Sequence, residues 1–216
     1  SDLRRQRQMC IRDRQKALAI DEEVLDATHP DLAISYNNIG GTYWSMGRYE
    51  QALEYHQKAL AIVEEVLGTK HLYVAISYTN IGAALTGLQQ YTTAQESLHK
   101  AIAIFKENKH PRIISAYGRL GLVALKLGTT SKAKEYFSLY NELAKDKDNA
   151  LGAYYQALYH TVIGDLQKAL DFLEEAVAKG YTNRVHLTQE ELLTPLHNSP
   201  RYQAVVEHLS KDKENK

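Results

Sequence analysis

The sequence predicts an all-α fold built from repeated helix pairs, on three observations. Residues 15–40 recur at residues 57–82, with 18 of 26 positions identical at an offset of 42. A period in this range is typical of a solenoid, whose units bury their apolar faces only against their neighbours. Only four prolines interrupt the 216 residues, and after Gln15 the apolar residues follow helical spacing.

The composition argues against several classes of function. Lys and Arg number 26, as do Asp and Glu, so no net field attracts nucleic acid or an anionic membrane. Cys10 is the only cysteine, which rules out an internal disulfide and a cysteine zinc cluster. No apolar run reaches the roughly 18 residues that a membrane helix needs. We therefore expect a cytoplasmic protein with no membrane span and no nucleic-acid partner.

Residues 1–14 are predicted to be a non-native leader. The segment Met9–Arg14 looks like the translation of a sequencing adaptor, and it ends where the repeat similarity begins, so it is set aside from the fold reasoning. The alternative is a genuine helix that aligns with residues 49–68 of the next copy. Under the first interpretation, residues 15–27 form the second helix of a truncated repeat.

Four helix pairs are predicted next, at about 28–68, 69–108, 109–147 and 148–180. The first helix of a pair carries a tyrosine followed by Ile-Gly or Leu-Gly on one face, and the tyrosines are Tyr36, Tyr78 and Tyr117. The second helix carries small residues that let two backbones approach closely. These residues are Ala52, Ala59, Ala94, Ala101, Ala133, Ala169 and Ala176.

Glycines mark the turns within the pairs. Gly47, Gly128 and Gly164 occupy the position where a left-handed residue ends a helix. The second copy has Gln89 there, with Gly87 out of register. We expect that turn to differ from the others.

Histidines recur at the turns between pairs, at His29, His71 and His110. Their repetition explains them as structural residues better than as metal ligands, because no two histidines show ligand spacing with a carboxylate. Thr28 with Asp31 fits a capping box, and a proline suits a first helical turn.

The pattern changes after Gly180. Residues 181–209 contain leucines and prolines in an irregular arrangement followed by a short helix near 200–209, which suits the cap that an exposed terminal repeat needs. Residues 210–216 form a charged tail that we expect to be disordered.

The motifs Tyr-Asn-Asn-Ile-Gly, Gly-Arg-Tyr-x-x-Ala-Leu and Tyr-x-x-Lys-Ala-Leu resemble the tetratricopeptide repeat (TPR), in the 42-residue form of kinesin light chains. The resemblance covers residues 15–180 and weakens in the fourth copy. It implies a right-handed α–α superhelix whose first helices line a concave groove for a peptide or a partner domain. The segment after Gly180 is similar to the end of TPR arrays in signalling proteins, which implies the C-terminal regulatory part of a larger protein.

By register, the groove residues are expected to be Asn37, Asn38, Trp44, Ser45, Thr79, Asn80, Thr86, Arg119 and Lys126. An asparagine at the positions of Asn38 and Asn80 resembles a clamp on a peptide backbone, since its amide both donates and accepts. The alternative is a hydrogen bond between helices that supports stacking. Trp44 either anchors a partner or is buried between repeats. Tyr154, Tyr155 and Tyr159 are expected in the core, with one of them facing the groove as the alternative.

The sequence lacks the patterns of catalysis. No glycine-rich phosphate loop, nucleophile elbow or H-E-x-x-H motif occurs, so we expect no enzyme activity, no cofactor and no metal. The predicted function is a scaffold that binds a protein or peptide. The alternative is a structural module that self-associates through the truncated N-terminal helix, by residues Ala17, Leu18, Ile20, Val24 and Leu25.

Overall fold

The computed structural model describes residues 2–144, 150–181, 187–188 and 190–211, with side chains except at residues 2–11, 17, 210 and 211. Every element of regular structure in these ranges is a helix, which confirms the predicted all-α repeat fold. The chain divides into two compact units, Ser1–Arg119 and Leu120–Lys216.

The first unit contains five helices and the start of a sixth. They are α1 Asp2–Val24, α2 Pro30–Ser45, α3 Tyr49–Leu67, α4 Leu72–Gly87, α5 Tyr91–Glu107 and α6 Ile113–Lys126. The boundary between the units falls within α6. Helix α1 runs without interruption through the predicted leader and most of the segment 15–27. That residues 1–14 are foreign to the protein stays a prediction.

The second unit continues with helices and ends in a different arrangement. Its elements are the end of α6, then α7 Thr130–Leu143, α8 Ala150–Val162, α9 Leu166–Ala178, a 3-10 helix Glu191–Leu196 and α10 Pro200–Lys211. The short helix expected near 200–209 is therefore confirmed. Of the tail predicted to be disordered, residues 212–216 lie outside the described ranges.

Glycines in the first helices let the second helices pack closely. A Cβ atom on Gly82 would lie 2.8 Å from Leu98 Cγ, and one on Gly121 would lie 2.3 Å from Phe137 Cε1. Both distances are shorter than any real Cβ contact, so an alanine would force the helices apart. The predicted alanines of the second helices are all buried, which confirms that small residues face the partner helix.

The tyrosines of the first helices link each pair to the helix before it. The Tyr36 hydroxyl donates to Glu22 at 2.8 Å, and the Tyr78 hydroxyl donates to Glu64 at 2.9 Å. Lys58 and Lys100 lie over these two rings. Each of these contacts therefore recurs 42 residues later. Both tyrosines are half-buried, as expected of packing residues with a polar tip.

The less regular tyrosines of α8 are mostly core residues. Tyr154 and Tyr155 are buried, and Tyr159 is half-buried. The Tyr154 ring stacks on Tyr181 with their centroids 4.7 Å apart. The expectation that these side chains belong to the core is confirmed for the first two.

The turns within the helix pairs share one geometry. Gly47, Gly128 and Gly164 have φ of 74°, 73° and 83°, which confirms the predicted left-handed positions. The expectation that the second turn differs is wrong, because Gln89 adopts φ of 60°. The N–H of the residue after it, Gln90, donates to the Leu85 carbonyl, so this bond imposes the same turn on a non-glycine residue.

Gly87 allows close packing at the end of α4 and does not form the turn that follows. A Cβ atom at this position would lie 2.5 Å from the Tyr49 ring. The glycine that is out of register in the sequence is therefore explained by the close approach of an aromatic side chain to the end of α4.

The three recurring histidines accept hydrogen bonds at the starts of first helices. His29, His71 and His110 each accept, at Nδ1, the backbone N–H two residues further on, at 3.2 Å. Their structural role is confirmed. The capping box predicted at Thr28 is wrong, because His29 is the residue that caps α2 and thereby satisfies a free N–H of the first turn.

Candidate functional site

In the first unit, several residues predicted to face a partner meet where α2 contacts α4. We call this contact, formed by Asn37, Trp44, Asn80 and Ala83, the α2–α4 seam. The Trp44 indole N–H donates to the Ala83 carbonyl at 3.2 Å. The Asn80 side-chain N–H donates to Asn37 Oδ1 at 3.3 Å. The seam is therefore held by two polar contacts as well as by packing.

Trp44 is partly packed between repeats and partly exposed. Its indole is bonded to the next first helix, and the Arg119 guanidinium lies over its ring, 5.7 Å from the centroid. The side chain nevertheless remains 38% exposed. An aromatic surface of this size beside a cation is available to contact a partner.

A buried histidine lies beneath the seam. His56 of α3 is only 2% exposed, and its Nδ1 is 2.9 Å from Asn37 Oδ1. The Asn37 amide also donates to the hydroxyl of the buried Ser77, at 3.3 Å. Gly40 makes room for the imidazole, since a Cβ there would lie 2.7 Å from the ring. Three helices thus contribute to one polar cluster, His56, Asn37, Asn80 and Ser77.

The environment of His56 keeps the imidazole neutral. Burial, and to a lesser extent the positive charge of Arg119, lowers the pKa of His56 to about 4. Its hydrogen-bond partner is an amide and not a carboxylate. A histidine with so low a pKa is a weak base near neutral pH, so the cluster suits hydrogen bonding and not proton transfer.

The other predicted residues of the first unit differ in exposure. Asn38 and Ser45 are exposed on α2, and Thr86 is half-buried with its hydroxyl bonded to the Gly82 carbonyl. Thr79 departs from the prediction: it is 8% exposed, and its hydroxyl donates to the Ala75 carbonyl of its own helix at 2.8 Å. Burial on the packed side of α4 removes it from the surface.

Lys126 lies in the second unit and has a partner within the chain. Its ammonium is 2.7 Å from Glu190 Oε1, and the two side chains are 13% and 8% exposed. The same carboxylate accepts the Leu192 N–H at 3.1 Å. Lys126 therefore ties α6 to the start of the 3-10 helix instead of standing free for a partner.

Sequence reasoning missed His56, Ser77 and Glu190 as parts of these arrangements. The sequence did contain a sign of His56, because this residue replaces the apolar Leu98 of the second copy at the same register. It contained no sign of Glu190, since this residue lies 64 residues from Lys126 in a segment without repeat similarity. Contacts of that kind depend on the path of the chain after α9.

Two features are absent from the described residues. These residues contain no group of three or more His, Cys, Asp or Glu side chains that could hold a metal ion. Within the same part of the chain, no helix is both long enough and apolar enough to cross a membrane.

Paired helices with a surface of asparagine and tryptophan define a helical-repeat scaffold for protein–protein interaction. A sequence model of the tetratricopeptide repeat matches residues 2–65, 35–107 and 73–146, so the chain belongs to the tetratricopeptide-repeat family. Proteins of this family are typically scaffolds without catalytic activity. A search of curated proteins found no significant match.

Several solved structures, among them the following three, have a fold similar to that of this chain. The kinesin-light-chain-like TPR repeats of Podosopora anserina superpose with a TM-score of 0.67 at 20% identity, over 82% of this chain and 88% of that one. The apo form of RapI gives 0.76 at 20% identity, over 98% and 79%. A Rap protein complexed with competence and sporulation factor gives 0.73 at 19% identity, over 97% and 59%. At these identities the likeness concerns the fold alone.

Proposed function

We propose that the first unit binds an extended peptide, or an extended segment of a partner domain, at the α2–α4 seam. The observation that carries this proposal is Trp44, which is 38% exposed, donates its indole N–H to the Ala83 carbonyl and lies beneath the Arg119 guanidinium. Aromatic residues that combine apolar area with polar neighbours are typical anchors of protein interfaces.

Asn38 adds hydrogen-bonding capacity close to the seam. Its side chain is exposed, and its amide has no partner among the described residues. A primary amide both donates and accepts, as the backbone of an extended peptide does. An exposed amide loses little by exchanging water for a peptide group, so Asn38 is suited to add affinity without a cost in stability.

The charges near the seam favour an acidic partner segment. Arg119 is the charged side chain that lies over Trp44, and α4 carries no charged residue. A carboxylate of the partner next to the tryptophan would complement this cation.

Beyond binding, we propose that the protein is a non-catalytic regulatory part of a larger cytoplasmic signalling protein. A Rap protein of similar fold was solved in complex with competence and sporulation factor, which supports the binding part of this proposal. The low pKa of the buried His56 and its amide partner disfavour acid–base catalysis by the polar cluster beneath the seam.

The binding proposal can be tested with random 12-residue peptides displayed on phage. A selected peptide is synthesised, and its Kd is measured by calorimetry and by tryptophan fluorescence. Because Trp44 is the only tryptophan, a change in its emission reports occupancy of the seam. The combined Asn38→Ala and Asn80→Ala variant should weaken binding about tenfold or more, the effect of losing one to two hydrogen bonds.

The exposed Gln57 of α3 supplies the matched control, and Gln57→Ala should leave the Kd unchanged. Circular dichroism verifies that the double variant melts as a folded protein. Unchanged affinity of the double variant, or binding without any change in Trp44 emission, would reject the seam as the binding surface.

A second candidate function is self-association through α1. Ile20 and Val24 are 61% and 73% exposed, and they lie one helical turn apart on the same face. Leu18, from the same predicted set, is buried within the first unit. The exposed pair is therefore the part of that set available to a second copy.

A further inference from the structure

The polar cluster beneath the seam has a defined hydrogen-bond direction. Asn37 Oδ1 lies within hydrogen-bond distance of two nitrogen atoms, His56 Nδ1 at 2.9 Å and Asn80 Nδ2 at 3.3 Å. A carbonyl oxygen only accepts, so both nitrogens must donate to it. His56 therefore carries its proton on Nδ1, and the Asn80 NH2 group is turned towards Asn37.

The direction of these bonds decides what Asn80 offers to the surface. With its NH2 group turned inward, Asn80 Oδ1 has no donor among the described residues. The half-buried side chain thus presents a hydrogen-bond acceptor at the seam. An asparagine without such a network exchanges the positions of its oxygen and nitrogen by rotating its amide.

The opposite direction would arise from the other tautomer of His56. An imidazole with its proton on Nε2 would accept at Nδ1, and Asn37 would have to turn its NH2 group towards it. Asn80 would then turn its oxygen inward and offer a donor to the surface. The heavy atoms would hardly move. The tautomer of one buried histidine therefore determines whether the amide of Asn80 presents an acceptor or a donor to the surface.

We propose that His56 and Asn37 are positioning residues that hold Asn80 with its carbonyl oxygen facing the seam, so that this site accepts a backbone N–H of the bound peptide. This inference rests on the proposed binding function for its role, although the arrangement itself exists without a peptide. It also distinguishes Asn80 from Asn38 at the same register, because the amide of the exposed Asn38 is not held in this way.

Three features of the sequence and structure support this positioning role of His56 and Asn37. The second copy carries Leu98 and Thr79 at the registers of His56 and Asn37, so the cluster is particular to the first complete pair. Gly40 provides the space for the ring. Burial and, to a lesser extent, the nearby charge of Arg119 disfavour a second proton on the imidazole, which keeps His56 a neutral tautomer.

The first experiment needs no peptide. Nitrogen-15 NMR of the full chain, labelled at histidine and asparagine, identifies the tautomer of His56 and the side-chain NH2 signals of Asn80. We expect the proton on Nδ1, together with slowed exchange of one Asn80 NH2 proton. In His56→Leu, which installs the residue of the second copy, that protection should be lost.

Two further variants separate orientation from packing. Asn37→Asp replaces the amide by a group that only accepts, so it should retain the protection of Asn80. Thr79→Val, the control at the equivalent register, should leave all of these signals unchanged, because the Thr79 hydroxyl bonds only within its own helix. A proton on Nε2 of His56, or Asn80 signals that His56→Leu does not alter, would overturn the proposal.

The second experiment uses the phage-selected peptide with each backbone N–H replaced in turn by an ester. One replacement should weaken binding to the wild-type protein about tenfold and have no effect on Asn80→Ala. If every ester acts equally on the two proteins, the proposed N–H bond is refuted. Failure to select any peptide would contradict the binding function, whereas the NMR result decides the orientation independently.

Discussion

At the scale of the residue, environment decides roles that residue type leaves open. Asn37 and Asn38 are neighbours, yet one is bonded to a buried histidine and the other is exposed. Thr79 occupies the register of Asn37, but its hydroxyl bonds to its own helix. The first difference arises because a rotation of about 100° per residue separates adjacent side chains on a helix. The second arises because a threonine hydroxyl is short enough to bond to the carbonyl of its own helix.

Gln89 provides a first prediction at this scale. Its φ of 60° is unfavourable for a residue with a Cβ atom and natural for glycine. Gln89→Gly should therefore stabilise the protein by about 0.5–1 kcal/mol, the left-handed strain of about 1–2 kcal/mol less the extra backbone entropy of glycine. The reciprocal change Gly47→Gln, in the equivalent turn, should destabilise it by a similar amount. Urea unfolding measures both, and a destabilising Gln89→Gly would refute the argument.

His56 provides a second prediction, on pH. Its pKa is lowered from 6.5 to about 4 by burial, so as pH falls the unfolded state binds a proton before the folded state does. The stability due to the neutral imidazole is complete above pH ~6.5 and is lost as pH falls from there to ~4. The loss amounts to about 3 kcal/mol over that window.

Stability measured by urea unfolding between pH ~7 and ~5 should accordingly fall less steeply in His56→Leu than in the wild type. Gln57→Leu, at an exposed position that carries no titratable group, is the control and should keep the wild-type slope. Equal slopes for His56→Leu and the wild type would mean that the buried imidazole does not titrate as argued.

At the scale of the element, the helices are joined by contacts that recur with the repeat and by others that do not. The bonds from Tyr36 to Glu22 and from Tyr78 to Glu64 recur, since they arise from the same register. The ion pair of Lys126 with Glu190 has no counterpart in the repeat, because Glu190 lies after the last pair. This pair fixes the 3-10 helix to α6 within the second unit.

The largely buried ion pair predicts strong coupling between its members. Lys126→Ala leaves the buried Glu190 carboxylate without its cation, so it should destabilise the protein by about 3 kcal/mol. Glu190→Ala should cost less, because Glu191 Oε2 remains 3.6 Å from the Lys126 ammonium. The double variant should cost much less than the sum, which a double-mutant cycle measures by thermal or urea unfolding. Additive costs would show that the two side chains act independently. Lys168→Ala, in an exposed pair with Asp165, should have a much smaller effect, because water screens exposed pairs.

At the scale of the whole molecule, a repeat protein gains stability mainly from neighbouring repeats. The formal net charge of zero provides no electrostatic repulsion between copies. Exposed apolar residues therefore have more influence on the solution state than they would in a highly charged protein. The exposed Ile20 and Val24 of α1 are the residues to test.

If α1 mediates self-association, light scattering after size exclusion should give a mass above that of one 24.5 kDa chain that rises with concentration. Replacing Ile20 and Val24 together by lysine should yield the monomer. The control is Val66→Lys, since Val66 is the equivalent of Val24 in the next copy and is 43% exposed. A monomeric wild-type protein at all concentrations would exclude this function.

The sequence by itself determined the all-α repeat fold, the positions of the turns and the small residues between helices. It did so because these features depend on local spacing, which is repeated along the chain. It misjudged the turn at Gln89, since a helix-ending hydrogen bond can impose a left-handed conformation on a residue that does not favour it.

Only the tertiary structure decided which polar residues lie on the surface and which face each other. The direction of the Asn80 amide depends on His56 from another helix, and Lys126 is engaged by a carboxylate 64 residues away. A register assigns a side chain to a face of its helix. What that face meets is set by contacts between helices, which a pattern along one chain does not encode.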